Sequence, residues 1–216
     1  PKGLVEVAGE PLLTHVFETL VDLDVSELVV VVGYRGEQIR EYYGEEFDGV
    51  PIVYERQESR DGLARALLQA APHIEDDFLF ANGDNVIRAN TEAVVSRHRE
   101  TGAAVTTLVE GVSPERASEG AVFEFEDGDV SGVVEKPVDP PSKTISRGFY
   151  AFSPTIVPAC RLVAPDHTGE YELTAAIDLL IQAGRRIETV ALDGWCLNVN
   201  TPTDREAVSE YLDDGS

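Results

Sequence analysis

The chain has 216 residues and carries 40 Asp or Glu against 17 Lys or Arg, a formal net charge of −23. With 43% hydrophobic residues it can bury a core, so it reads as globular rather than as an acidic disordered chain. So negative a composition argues against a nucleic-acid or anionic-membrane partner, and no apolar run reaches the roughly 18 residues needed to cross a bilayer.

Strands and helices alternate along most of the sequence. Glu10-Pro11 opens an amphipathic helix through Leu12, Val16, Leu20 and Leu23, with Pro11 in its first turn. Leu28 to Val32 is a continuous branched apolar run closed by Gly33, the pattern of a parallel strand buried on both faces. A helix over Gly36–Tyr43 and a strand over Pro51–Tyr54 follow. Asp61-Gly62 starts the next helix, whose Leu63, Ala66, Leu67 and Ala70 share one face. The strand Asp77–Ala81 runs straight into the polar turn Asn82-Gly83-Asp84-Asn85, ahead of a helix over Thr91–Arg99 and a strand over Ala103–Val109. The rhythm then shifts to short strands at Val122–Glu126, Gly132–Glu135 and Gly148–Phe152, with Asp127-Gly128 as a tight hairpin turn. Helices over Pro154–Leu162 and Glu172–Ala183, a strand over Ile187–Leu192, a segment around Trp195–Val199 and a helix after Thr201-Pro202 complete the pattern. It specifies an α/β fold in one domain over residues 1–216, three layers around a mixed, mainly parallel sheet with a β-rich addition.

Lys2, Lys136 and Lys143 are the only lysines, and there is no methionine. A coat of carboxylates almost without lysine suits a protein solvated in concentrated salt, where self-repulsion is screened, and points to a haloarchaeal cytoplasm. Cys160 and Cys196 stand apart from any metal-ligand spacing and read as buried, reduced thiols.

In open α/β sheets ligands gather beyond the carboxyl ends of the strands. Three polar clusters fall at such ends: Asn82-Gly83-Asp84-Asn85, Glu135-Lys136-Pro137 and Asn198-Val199-Asn200-Thr201-Pro202. An exposed carboxylate there can hold Mg²⁺, and a lysine can neutralise phosphate. Taken singly, each cluster fits ordinary turn, strand-end or helix-cap chemistry equally well.

Their order, with further segments, resembles the sugar nucleotidyltransferases of the glucose-1-phosphate thymidylyl/uridylyltransferase type. Pro1-Lys2-Gly3-Leu4-Val5-Glu6-Val7-Ala8-Gly9-Glu10-Pro11-Leu12 is similar to the family's P-K-P-L segment, and Gln57 through Ala64 to its base-recognition loop. Gly83-Asp84-Asn85 resembles the metal-binding turn, Gly120-Ala121-Val122 with Glu135-Lys136-Pro137 the paired Y-G-V and E-K-P, and Gly148-Phe149-Tyr150 the strand after them. Gly169-Glu170-Tyr171-Glu172-Leu173-Thr174 and Trp195 to Pro202 resemble the closing segments. The resemblance implies a Rossmann-like, GT-A-like nucleotidyltransferase fold. It implies transfer of a nucleotidyl group from UTP or dTTP to a sugar-1-phosphate, glucose-1-phosphate being the default, with release of pyrophosphate.

It also implies roles for particular residues. Gln57 and Gly62 would contact the base, and Asp84 and Asn198 would hold the Mg²⁺ that bridges the nucleotide phosphates. Lys136 would bind the sugar phosphate, with Glu135, Gly120 and Glu170 on sugar hydroxyls, and Lys2 would lie near the α-phosphate. Two of the three lysines thus fall at phosphate-binding positions, as a strongly negative protein would need for a polyanionic substrate. The resemblance leaves room for a homo-oligomer.

Two departures accompany it. The family's L-A-G-G-x-G-T-R loop belongs upstream of Lys2, so the expectation is a core without the first strand and its glycine-rich loop. Asn198 stands where the family closes on aspartate, as in related N-acetylglucosamine-1-phosphate uridylyltransferases. The alternatives are a catalytically degenerate relative that binds nucleotide or sugar phosphate, and a cytidylyl- or molybdenum-cofactor-type nucleotidyltransferase. Asn198-Val199-Asn200-Thr201-Pro202 suggests the latter and Glu135-Lys136-Pro137 argues against it.

Overall fold

The computed structural model describes residues 1–214, which divide into two compact units. The first comprises residues 1–58, 81–90 and the chain from 193 onward. It opens with a single 3-10 turn at Lys2–Leu4 and a small hairpin of β1 (Glu6–Val7) and β2 (Glu10–Pro11), followed by α1 (Leu12–Val21). Pro11 ends β2 with extended backbone (φ −57°, ψ 141°), so the helix begins one residue later than the sequence pattern suggests. β3 (Leu28–Val32), α2 (Gly36–Tyr43), β4 (Glu46–Phe47) and β5 (Val50–Arg56) follow. β3 pairs parallel with β5, and β4 antiparallel with β5.

Of β3 only Leu28 is buried; Val29 to Val32 are half-buried, which corrects the expectation of a strand covered on both faces. Within the three-stranded sheet β3 has β5 as its single neighbour, and it packs into the cluster of Leu13, Val16, Phe17, Ile39 and Ile52. The same unit holds β7 (Asn85–Ala89), paired antiparallel with β13 (Gly194–Asn198), and then α8 (Pro202–Asp214). Val7, Leu12, Val86, Val199 and Val208 form a second small core there.

The second unit, residues 59–80 and 91–192, holds α3 (Leu63–Ala70), β6 (Phe78–Ala81) as far as Phe80, α4 (Thr91–Thr101), β8 (Val105–Gly111) and the short α5 (Pro114–Ala117). After these come β9 (Ala121–Glu126), β10 (Asp129–Glu135), β11 (Thr144–Phe152), α6 (Ile156–Leu162), α7 (Leu173–Gln182) and β12 (Ile187–Ala191). The sheet order is β10-β9-β11-β8-β12, with β6 also on β11. β8, flanked on both sides, is the strand whose first five residues are all buried. The sheet is mixed, as expected, but parallel pairing is less extensive than the pattern implies. β3 with β5 and β8 with β12 are parallel, whereas β9 with β10, β11 with both β8 and β9, β7 with β13 and β4 with β5 are antiparallel. The β9–β10 hairpin and the long β11 supply antiparallel neighbours instead.

β11 begins four residues before the expected strand. Its ladder with β8 shifts register between Ser146 and Tyr150, where Gly148 has φ +68° and donates its N–H to Ser146 Oγ at 3.1 Å. The bulge masks the period-2 signal of Thr144 to Arg147. Among the described residues no helix is long and apolar enough to cross a membrane.

Candidate functional site

In the first unit, the cross-strand ladder of β7 with β13 sets the site. Asn198 lies directly opposite Asn85, and one step further Val199 donates its N–H to the Asp84 carbonyl at 2.8 Å. The turn Asn82-Gly83-Asp84 and the segment Asn198-Val199-Asn200 are therefore held side by side by backbone bonds. The 3-10 turn at the N-terminus adds Lys2, whose Nζ lies 2.8 Å from Asp84 Oδ2 and 2.6 Å from Asn200 Oδ1. Asn200 Nδ2 donates to Asn198 Oδ1, and Asn198 Nδ2 donates to Asn85 Oδ1 at 2.8 Å. Lys2 and Asp84 remain 42% and 31% exposed, so both can reach a ligand.

Helix α8 fixes the far end of this segment through a reciprocal cap. Asp204 Oδ2 accepts the N–H groups of Asn200 and Thr201 at 2.8 and 2.7 Å, and Thr201 Oγ1 accepts the Asp204 N–H at 3.2 Å. These N–H bonds hold the Asp204 carboxyl below its ordinary range. The cap read from Thr201-Pro202 is thus present, with Asp204 as its second half.

In the second unit, β10 ends on Glu135 and hands over to Lys136, which adopts a left-handed conformation (φ +40°). Its N–H bonds the Gly120 carbonyl at 2.9 Å, so the Gly120 and Glu135-Lys136 segments share one backbone contact. Lys136 Nζ lies 3.7 Å from Glu135 Oε1. Burial pushes the Glu135 carboxyl up, against the pull of Lys136 and a hydrogen bond from Thr174, while Glu170 adds to the rise. Glu172 is raised too, by burial first and then by the charges of Glu135 and Glu170. Glu135, Lys136, Glu170, Glu172 and Thr174 therefore form one polar group, in which carboxylates crowd around a single ammonium.

The loop that carries Glu170 and Glu172 is tied at both ends. Asp166 Oδ1 accepts the Thr168 N–H and hydroxyl at 2.8 and 2.6 Å and the Glu170 N–H at 3.0 Å. Tyr171 donates its N–H to the Asp61 carbonyl at 2.8 Å and accepts the Ala64 N–H at 3.0 Å. Gly62 lies between, at φ +98°, and a Cβ there would stand 2.4 Å from the Tyr171 carbonyl oxygen. Arg65 stacks over the Tyr171 ring at 4.1 Å. Gln57, in the first unit, donates its N–H to the Val32 carbonyl at 2.9 Å, just beyond β5.

Asp84 and Asn198, expected as the metal pair, lie side by side, and Lys2, expected near the α-phosphate, bonds Asp84 directly and reaches Asn198 through Asn200. Glu135, Lys136, Gly120 and Glu170 likewise share one neighbourhood. Asn200, Glu172, Tyr171 and Asn85 fall within the quoted motifs, but the sequence reading assigns them no role. Asn200 could have been found from its two-residue spacing after Asn198, which returns it to the same side of an extended segment.

For a divalent cation, Asp84 and Asn198 offer one carboxylate and one amide oxygen, an all-oxygen set suited to a hard ion that completes its shell with water and phosphate. Among the described residues no group of three or more His, Cys, Asp and Glu side chains gathers as a metal cage.

The family described as Nucleotidyl transferase matches residues 1–214. The UTP–glucose-1-phosphate uridylyltransferase AglF of Haloferax volcanii is 48% identical over 213 residues, covering 98% of this chain and 88% of that protein. A glucose-1-phosphate thymidylyltransferase of Streptomyces griseus is 31% identical, over 98% of this chain and 60% of its own length. Among solved structures, UDP-glucose pyrophosphorylase complexed with UDP-glucose superposes with a TM-score of 0.88 at 20% identity, covering 100% of this chain and 91% of that one. That likeness shows the fold they share.

Proposed function

Because the chain belongs to the nucleotidyl transferase family, we propose that it transfers a uridylyl group from UTP to glucose-1-phosphate, giving UDP-glucose and pyrophosphate. The substrate pair is the one named for the Haloferax relative, and the fold is shared with a pyrophosphorylase complexed with UDP-glucose. A phosphate oxygen of the sugar-1-phosphate attacks the α-phosphorus. The bond from that phosphorus to the oxygen bridging to the β-phosphate breaks, and pyrophosphate carries the electron pair away. The nucleophile is already an anion, so no general base is required, and catalysis reduces to positioning and charge neutralisation.

The observation that carries this reading is the joining of Lys2 to Asp84 and, through Asn200, to Asn198. Lys2 places its ammonium against charge that develops at the α-phosphate. Asp84 and Asn198 would hold Mg²⁺, which when bound supplies Lewis-acid neutralisation of the nucleotide phosphates. Lys136 orients the sugar phosphate, Glu135 and Glu170 accept hydrogen bonds from sugar hydroxyls beside Gly120, and Gln57 and Gly62 border the base. The carboxylate excess fits a salt-rich haloarchaeal cytoplasm, which is where we place the reaction.

Pyrophosphate release, assayed over a grid of nucleoside triphosphates and sugar-1-phosphates with Mg²⁺ in concentrated KCl, tests the proposal. The UTP and glucose-1-phosphate cell should dominate. Silence across the whole grid would reject the enzymatic reading, and dominance of dTTP would reject the uridylyl assignment.

A further inference from the structure

Lys2, Asn200, Asn198 and Asn85 form a hydrogen-bonded chain in which each link dictates the direction of the next. An ammonium donates and cannot accept, so the Asn200 atom 2.6 Å from Lys2 Nζ has to be the amide oxygen. The Asn200 amide then turns its N–H₂ to Asn198, which must answer with its own oxygen. That leaves the Asn198 N–H₂ for Asn85, whose oxygen receives it at 2.8 Å. Asn85 is only 5% exposed and sits opposite Asn198 in the β7–β13 ladder, so the sheet sets where the far end of the chain lies. The near end is fixed by Asp84, which holds the same ammonium at 2.8 Å.

We infer that Asn200 is a positioning residue of the nucleotidyl-transfer site: it transmits the polarity of Lys2 to Asn198, so that Asn198 turns its carbonyl oxygen rather than its N–H₂ toward the Asn200 side. The inference rests on the proposed assignment of Asp84 and Asn198 as the metal-holding pair. A carboxylate at the place of Asn198 would offer oxygen in either orientation. An asparagine offers oxygen on one side only, and a neighbour that fixes its direction becomes necessary.

The substitution that separates this from simple electrostatics is Asn200→Asp. It keeps shape and an acceptor for Lys2, and it adds a negative charge beside the metal-holding pair, which by charge alone should tighten a divalent cation. The relay makes the opposite forecast. The introduced carboxylate has no N–H to give, so Asn198 must reverse and present its own N–H₂ there.

Mn²⁺ titrated into the protein with saturating UTP and no sugar phosphate, followed by water-proton relaxation, reads binding without turnover. Asn200→Asp and Asn200→Ala should each weaken Mn²⁺ by about tenfold or more, the usual scale for groups that orient a metal's ligands. In an Asn198→Asp background, Asn200→Ala should cost almost nothing, because the orientation no longer matters. Asn200 is exposed, and thermal midpoints near the parent's confirm that the variants stay folded.

Unchanged or tighter Mn²⁺ in Asn200→Asp overturns the inference. So does an equal loss from Asn200→Ala in both backgrounds. Asp84→Ala distinguishes the two levels: if it leaves Mn²⁺ binding unchanged, the metal assignment falls and the relay falls with it. If it abolishes binding while the Asn200 variants match the parent, the relay alone is wrong.

Discussion

Two ammonium groups, Lys2 and Lys136, serve different ends of the proposed reaction, and their surroundings explain how each is kept in place. Lys2 is pinned by a charged and an amide oxygen at hydrogen-bond distance, whereas Lys136 is aimed by its backbone, with its left-handed φ secured by the bond to Gly120. Asp84→Ala removes both the anchor of Lys2 and the only carboxylate of the metal-holding pair. We expect kcat to fall by at least about 100-fold at saturating substrates, comparable to losing a principal charge-stabilising group; a fall of less than tenfold would contradict the assignment. Lys136→Ala should act on the other substrate. A charge-assisted hydrogen bond contributes about 1.5–3 kcal/mol, so KM for glucose-1-phosphate should rise roughly 10- to 100-fold while KM for UTP stays near the parent's. Steady-state kinetics with each substrate varied in turn decides between this and a shift confined to the nucleotide.

At the scale of elements, the backbone strap between Asp61–Ala64 and Tyr171 links the start of α3 to the loop before α7. Gly62 is where that strap has no room to give. Gly62→Ala meets both a left-handed φ and backbone atoms of Tyr171, and it should destabilise the fold by about 1–3 kcal/mol, read as a lower thermal midpoint. Because the strap carries Glu170 and Glu172, the same variant should raise KM for both substrates. Elsewhere in this unit, His98 on α4 is buried and bonded to Thr106 of β8, with Nε2 3.5 Å from Asp77. Burial lowers its pKa below 6.5, with the Asp77 charge opposing. The unfolded chain therefore takes up the proton first. The stability contribution is complete above about pH 6.5 and is lost as the pH falls from there through the folded value. Denaturation between about pH 7.5 and 5 should show this loss, and His98→Gln should flatten it.

The legible elements were those with a long local pattern. Leu28–Val32 announces its strand, and Asp127-Gly128 announces a hairpin whose two turn residues both adopt positive φ. Ala8-Gly9 and Asp48-Gly49 make the same kind of turn, yet β1, β2 and β4 are two residues long and show no periodicity to read. Lys2 and Asp84 of the first unit and Lys136 of the second stand out in the sequence because lysines are so few and the Gly-Asp-Asn turn so distinct. Asn200 stands out less, because an amide takes its meaning from what it donates to and accepts from, and Lys2, which fixes its direction, lies 198 residues away.

The molecule as a whole carries its charge of −23 as repulsion that salt must screen. The Debye length shrinks from about 10 Å near 0.1 M to about 3 Å near 1 M, so the thermal midpoint should climb steeply across that range of KCl and more slowly beyond. A midpoint independent of KCl would separate the composition from any adaptation to salt. In concentrated potassium a carboxylate as open as Asp84 would otherwise draw a free monovalent counter-ion. The Lys2 ammonium, 2.8 Å away and covalently attached, is a counter-ion that cannot diffuse off. Asp84 is thus already neutralised at rest, and an arriving metal–nucleotide has to displace a tethered partner whose competition does not grow with the salt outside.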